Sequence, residues 1–110
     1  MNEPRLSIVI PTWNRRDLVL SCLASVAAQD LDGLEVIVVD DGGTDDTPQA
    51  VAAAYPAVRL IRREQNGGFA QAVNAGIAAA QSPLIMLLNN DAVLRPGCLE
   101  TLVAFMDAHP

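Results

Sequence analysis

Short apolar runs alternate with stretches of helical periodicity along the whole chain. Leu6-Ser7-Ile8-Val9-Ile10 is rich in β-branched residues and closed by Pro11, which predicts a strand. Arg16 to Ala28 sets Val19, Cys22, Leu23 and Val26 at helical spacing, with Asp17 at the positive end of the helix dipole. Glu35-Val36-Ile37-Val38-Val39 predicts a second strand, ending abruptly in Asp40-Asp41-Gly42-Gly43. Thr47 and Pro48 read as the N-cap and first residue of a helix reaching about Ala54. Val58 to Arg62 is a shorter, more polar strand suited to a sheet edge. Gly68 to Ala80 predicts a third helix with Phe69, Ala72, Val73, Gly76, Ile77 and Ala80 on one face. Leu84 to Leu88 is apolar on both faces, which predicts a central strand. A last helix is expected from about Pro96 to Ala108, burying Leu99, Leu102, Val103 and Met106.

Strands apolar on both faces, each followed by a helix, imply a mainly parallel sheet covered on both sides. The fold class is therefore α/β, a Rossmann-like three-layer α/β/α arrangement. Right-handed crossovers favour the strand order 3-2-1-4. No repeat, linker or low-complexity tract divides the chain, so residues 1–110 form one unit.

Composition narrows the function. The chain has 110 residues, 51% of them hydrophobic, enough for one core and too few for two domains. Thirteen acidic residues face seven basic ones, and the resulting net charge of −6 disfavours a nucleic-acid partner. Every basic residue is Arg. The absence of Lys excludes a P-loop lysine and Schiff-base catalysis. The only His is His109, beside the terminus, which argues against a His-based nucleophilic triad. Cys22 and Cys98 stand far apart without further ligands, so neither zinc nor a disulfide is favoured and both read as buried thiols. No signal peptide or transmembrane stretch is visible, and a cytoplasmic location is expected.

In an open α/β sheet, ligands bind beyond the carboxyl ends of the strands. Four polar clusters fall there: Pro11-Thr12-Trp13-Asn14, Asp40 to Thr47, Asn66-Gly67-Gly68-Phe69 and Asn89-Asn90-Asp91. No comparable cluster falls at the opposite edge. Taken singly, Asp40-Asp41-Gly42-Gly43 and Asn66-Gly67-Gly68 read equally well as turns. Trp13, the one Trp, lies among polar neighbours rather than in an apolar run, which favours stacking. Asn89-Asn90-Asp91 suits a hard cation that also holds phosphate oxygens.

Together these motifs resemble the family 2 glycosyltransferases. Ser7 to Arg15 is similar to that family's opening strand and loop, and Asp40 to Thr47 to its Asp-Asp-Gly-Ser-Thr-Asp signature, with Gly43 in place of Ser. Asn66-Gly67-Gly68-Phe69-Ala70 with Asn74-Ala75-Gly76 resembles the next motif, and Leu87 to Asp91 the position of the Asp-X-Asp metal motif. The Asn-Asn-Asp variant looks most like the bacterial rhamnosyltransferase-like branch. The resemblance implies a nucleotide-diphospho-sugar transferase fold and transfer from a UDP- or dTDP-sugar with inversion. It implies that Pro11, Thr12, Trp13 and Asn14 line the nucleotide with Gly67, that Asp41 accepts from a pyrimidine imide, and that Asn90 lies near the ribose. Asp91 would bind Mn²⁺ or Mg²⁺. The implied acceptor is a saccharide or lipid-linked glycan in bacterial polysaccharide or cell-wall biosynthesis.

The family's catalytic base lies in an acceptor-binding part beyond the metal motif. The expectation is therefore a donor-binding portion, truncated before that part and inactive alone, with the base beyond Pro110. In a longer protein it would work at the inner membrane face. The alternative is a non-catalytic nucleotide or nucleotide-sugar binding module. A phospho-receiver domain needs a Lys that is absent, and no Gly-X-Gly-X-X-Gly follows a strand to support a dinucleotide oxidoreductase. An uncovered edge at the fourth strand predicts self-association into a homo-oligomer.

Overall fold

The computed structural model describes residues 4–109. Four strands and four helices alternate: β1 (Leu6–Thr12), α1 (Arg16–Ala27), β2 (Leu34–Asp41), α2 (Thr47–Ala54), β3 (Arg59–Arg63), α3 (Phe69–Ala79), β4 (Leu84–Leu87) and α4 (Cys98–Ala108). The sheet is parallel throughout, in the order β3-β2-β1-β4. All seven residues of β1 are buried, as expected for a strand flanked on both edges and covered on both faces.

Side chains alternate between two cores, following the two-residue period of a strand. Leu6, Ile8, Ile10 and Val38 face Val19, Cys22, Leu23 and Val26 of α1, together with Val51 of α2 and Leu99 and Val103 of α4. Val9, Ile37 and Val39 face α3, where Ala72 is buried against them. Small residues let α3 lie close to the sheet. A Cβ on Gly76 would run into Val9 Cγ1 and lie 3.2 Å from Val39 Cγ2.

Strand β4 is not central. It forms the open edge of the sheet, and Ile85 and Leu87 are 44% and 45% exposed. The reason is helix placement: among the described residues α3 lies over β1, β2 and β3, which leaves the α3 face of β4 half exposed. Only Leu84, Met86 and the following Leu88 join the core, on the α1 face. Helices α3 and α4 likewise bury narrower stripes than their apolar patterns suggest. Phe69, Ile77 and Met106 stay exposed, and Leu102 is half-buried. Of the two free cysteines, Cys22 is buried and Cys98 half-buried. No helix among the described residues is long and apolar enough to cross a membrane.

At the amino end of the sheet, Glu35 ties four segments together. Its carboxylate accepts from Ser7 Oγ at 2.6 Å and from the Gln81 N–H at 2.9 Å, and pairs with Arg59 Nη1 at 2.9 Å. Arg59 also donates to the Ala79 carbonyl at 2.7 Å, which closes the end of α3 onto β3. Burial works against the charge on Glu35. The Ser7 hydroxyl, the Gln81 N–H and Arg59 outweigh it and hold the carboxyl below its ordinary value.

Two predictions follow from these contacts. Gly76→Val forces the helix away from the sheet and lowers folding stability by about 1–3 kcal/mol, measured by urea unfolding; an unchanged midpoint would mean that α3 can lift without loss. The second concerns pH. A carboxyl depressed in the folded state adds stability that is complete above its unfolded pKa and is lost as pH falls through its folded pKa. Glu35→Gln therefore weakens the fold at neutral pH and flattens the acid decline that begins near the unfolded value of 4.5. Urea midpoints on both sides of that pH test it, and parallel profiles for variant and wild type would contradict it.

Candidate functional site

Strand β1 pairs with β2 through Thr12↔Asp40, whereas its pairing with β4 ends at Val9↔Leu87. One more bond follows, from the Leu88 N–H to the Val9 carbonyl at 2.9 Å. The chain then leaves the sheet through Asn89-Asn90-Asp91. A cleft of about 480 Å³ opens where the strands part. This is the crevice beyond the carboxyl ends of the strands, at the point where the strand order reverses.

All four polar clusters reach this cleft. Pro11, Thr12, Trp13 and Arg15 line one side, followed by Leu18 of α1. Asp41, Asn66, Gly68, Phe69 and Ala72 line another, and Asn89, Asn90 and Asp91 the third. Trp13 and Phe69 are 49% and 58% exposed, so two large apolar rings border the space. Phe69 thus belongs to the cleft rather than to the buried face of α3. Asn90 Nδ2 donates to Thr12 Oγ1 at 3.0 Å and bridges the walls formed by β1 and the loop after β4. Beneath that loop, Cys22 Sγ lies 3.7 Å from the Asn89 carbonyl. Burial, and then the charge of Asp91, push its thiol up to about 11, so it remains a neutral thiol.

Asp40 and Asp41 point to opposite faces of β2. Asp40 is 1% exposed among the residues beside α1 and α2, and its Oδ1 has no hydrogen-bond partner among the described residues. Burial, then the charge of Asp45, raises its pKa. Asp41 is 5% exposed and well partnered. Its Oδ1 accepts from the Gly67 N–H at 3.2 Å and its Oδ2 from the Gly68 N–H at 2.9 Å. Arg63 Nε lies 2.8 Å from Oδ1 but out of line for a directed hydrogen bond, so that contact is ionic. Arg63 Nη2 continues to Gln71 Oε1 at 2.7 Å. Asp41 therefore joins β2, β3 and the loop before α3, a larger structural role than a surface-loop carboxylate would have. Gly42 allows the approach: its φ is +74°, and a Cβ there would run into the Asn66 backbone.

Two expected residues stand beside the cleft rather than on its lining. Asn14, with φ 52°, accepts through Oδ1 from the N–H groups of Thr44 at 2.7 Å and Asp45 at 3.1 Å. It fastens the first loop to the second. Gly67 has its N–H taken up by Asp41, and Gly68 lines the cleft instead. Arg15, Leu18 and Ala72 line the cleft without having been singled out for it. Adjacency to Trp13 was the available signal for Arg15, and one further helical turn for Leu18.

The side of the cleft formed by the loop after β4 holds one carboxylate, Asp91, between the Asn89 and Asn90 amides and the solvent edge. No three His, Cys, Asp or Glu side chains form a metal-binding group among the described residues. This donor set fits a hard cation whose remaining ligands are phosphate oxygens and water, as is usual for Mg²⁺.

Residues 7–110 match the family described as Glycosyl transferase family 2, and the chain belongs to that family. It is 39% identical over 106 residues to the succinoglycan biosynthesis protein ExoO of Rhizobium meliloti, across 96% of this chain and 30% of that protein. It is similar in structure to TarS 1-349 of S. aureus in complex with UDP-GlcNAc, with TM-score 0.89 and 29% identity over 96% of this chain and 32% of that one. The mannosyltransferase PcManGT of Pyrobaculum calidifontis, in complex with GDP-Man and Mn²⁺, gives TM-score 0.80 and 32% identity over 94% and 31% of the two chains. The chain spans about a third or less of the length of these relatives.

The Asp41 anchor generates a stability prediction. Asp41→Ala removes the side-chain acceptor of the Gly67 N–H, one of the two acceptors of the Gly68 N–H and the counter-charge of Arg63, and lowers folding stability by about 1–3 kcal/mol. Asp41→Asn, which keeps an acceptor, loses less. Urea unfolding of both variants measures this, and a wild-type midpoint for Asp41→Ala would show that the loop holds without it.

Proposed function

We propose that the cleft binds the nucleoside diphosphate of a UDP- or dTDP-sugar, as the donor side of an inverting glycosyltransferase. The observation that carries this reading is the convergence of Trp13, Asp41 and Asp91 on one cleft. Trp13 offers a ring for the base to stack on, and Pro11 and Thr12 border the base and ribose. A carboxylate has about four acceptor positions. The Gly67 and Gly68 N–H groups take one on each oxygen of Asp41 and Arg63 stands against Oδ1, which leaves a position on Oδ2 for a pyrimidine imide N–H. Asn90, which donates to Thr12, would lie toward the ribose.

Asp91, with the Asn89 and Asn90 amides near it, would hold Mn²⁺ or Mg²⁺ against the diphosphate. Such an ion supplies charge stabilisation for the departing nucleoside diphosphate. Complexes of related proteins with UDP-GlcNAc and with GDP-Man and Mn²⁺ support both parts of the reading. We assign no catalytic base to the described residues: Glu100 is exposed on α4, away from the cleft lining. In the whole protein the acceptor is a saccharide or lipid-linked glycan of bacterial polysaccharide or cell-wall synthesis, handled on the cytoplasmic side. Succinoglycan synthesis by a relative supports that setting, and the Asn-Asn-Asp and Gly-Gly-Phe motifs support the rhamnosyltransferase-like branch.

Isothermal titration with UDP, dTDP and GDP tests the reading. The pyrimidine diphosphates should bind more tightly than GDP, and Mn²⁺ should strengthen UDP binding by about tenfold or more, roughly 1.4 kcal/mol. Asp91→Asn should erase that gain, because the like-charged carboxylate and diphosphate meet favourably only through a cation. Failure of all three nucleotides to bind would overturn the donor assignment. Binding indifferent to Mn²⁺ and to EDTA would overturn the role of Asp91.

A further inference from the structure

The seven arginines are the only strongly basic side chains, and most of them are already committed. Arg5 pairs with Asp107, Arg16 with Asp17 and Asp46, Arg59 with Glu35, and Arg63 with Asp41. Arg15, Arg62 and Arg95 make no ion pair among the described residues. Of these three, only Arg15 lines the cleft. A diphosphate brought there meets the negative charge of Asp91, while that of Asp41 is already countered by Arg63. One unpaired cationic side chain is therefore available to it from the cleft lining.

The position of Arg15 is set by Asn14. The left-handed backbone at Asn14, secured by the Thr44 and Asp45 N–H groups, turns the chain between Trp13 and Arg15. Both neighbours line the cleft while Asn14 itself does not. The fold thus presents an aromatic ring and a guanidinium side by side from one anchored turn. The Arg15 carbonyl accepts from the Val19 N–H at 3.0 Å, so the residue's backbone is held by the start of α1.

We propose that Arg15 is the phosphate-binding residue of the cleft, taking the diphosphate of the nucleotide whose base stacks at Trp13. This rests on the donor-binding reading above and adds the residue that recognises the phosphates. A guanidinium offers planar paired donors that match phosphate oxygens. It shares the neutralisation of the diphosphate with any cation at Asp91, which suits a metal motif carrying a single carboxylate.

The experiment is titration of wild type, Arg15→Ala and Arg15→Lys with uridine, UMP and UDP at low and high salt. Wild type should bind UDP more tightly than uridine. Arg15→Ala should leave uridine affinity unchanged and weaken UDP by about ten- to a hundredfold, as for a lost charge-assisted hydrogen bond. UMP should fall between them, Arg15→Lys should recover part of the loss, and added salt should shrink it. Equal losses for uridine and UDP would make Arg15 a support of the loop and overturn the proposal. Unchanged UDP affinity in Arg15→Ala would also overturn it, as would wild type binding uridine and UDP alike, with donor binding itself intact. Absence of binding by wild type to all three would bring down the donor reading, and this proposal with it.

Discussion

Strand β1 is hydrogen-bonded to β2 along its whole length but to β4 only as far as Val9, and the rest of the site depends on that inequality. Its burial on both faces leaves no freedom to bend away from either neighbour. The carboxyl end of β1 therefore stays with β2, and β4 departs. Pro11 helps set this end because it has no N–H to offer to a ladder. The residues just past Val9 consequently have one wall in common with β2 and face open space on the β4 side. A cleft at this place is a result of parallel topology, before any particular side chain is considered.

Much of this was legible in the residues. Alternating strand-like and helical periods specify eight elements in order, and parallel topology with its strand order follows from their alternation. Convergence of the four polar clusters follows as well, because each one succeeds a strand. What could not be read was coverage. Leu84 to Leu88 has the composition of a central strand, yet only the position of α3 decides that Ile85 and Leu87 remain half exposed. Phe69 looks like a core residue from its helical phase. It lies in the first turn of α3, at the lip of the cleft, where the sheet no longer runs beneath it.

The paired aspartates illustrate the same limit at finer scale. Strand β2 continues through Asp41 because β3 pairs with it as far as Asp41↔Arg63. Asp40 and Asp41 therefore inherit strand alternation and opposite environments, which a turn reading of Asp-Asp-Gly-Gly does not provide. Asp41 meets backbone donors and Arg63, while Asp40 retains an oxygen without a donor among the described residues. A Cβ added at Gly43 would lie 2.7 Å from that oxygen. Gly43 thus falls beside a carboxylate that is left incompletely satisfied among the described residues.

A buried carboxylate stands at each end of the sheet, and the contrast between them separates structure from site. Glu35 at the amino end is enclosed by β1, β3 and the segment after α3, and Arg59 ties it to the end of α3. Strands β1, β2 and β4 remain paired there, in register from Leu6↔Leu34 and Leu6↔Leu84. Asp41 at the carboxyl end is nearly as well partnered and no less buried. It differs in lining a space that the parting of β1 and β4 has left open. A buried acid and its arginine serve at one end to close the sheet. At the other, the same pairing holds a carboxylate in place at the wall of a cleft, with its charge countered and an acceptor position still free.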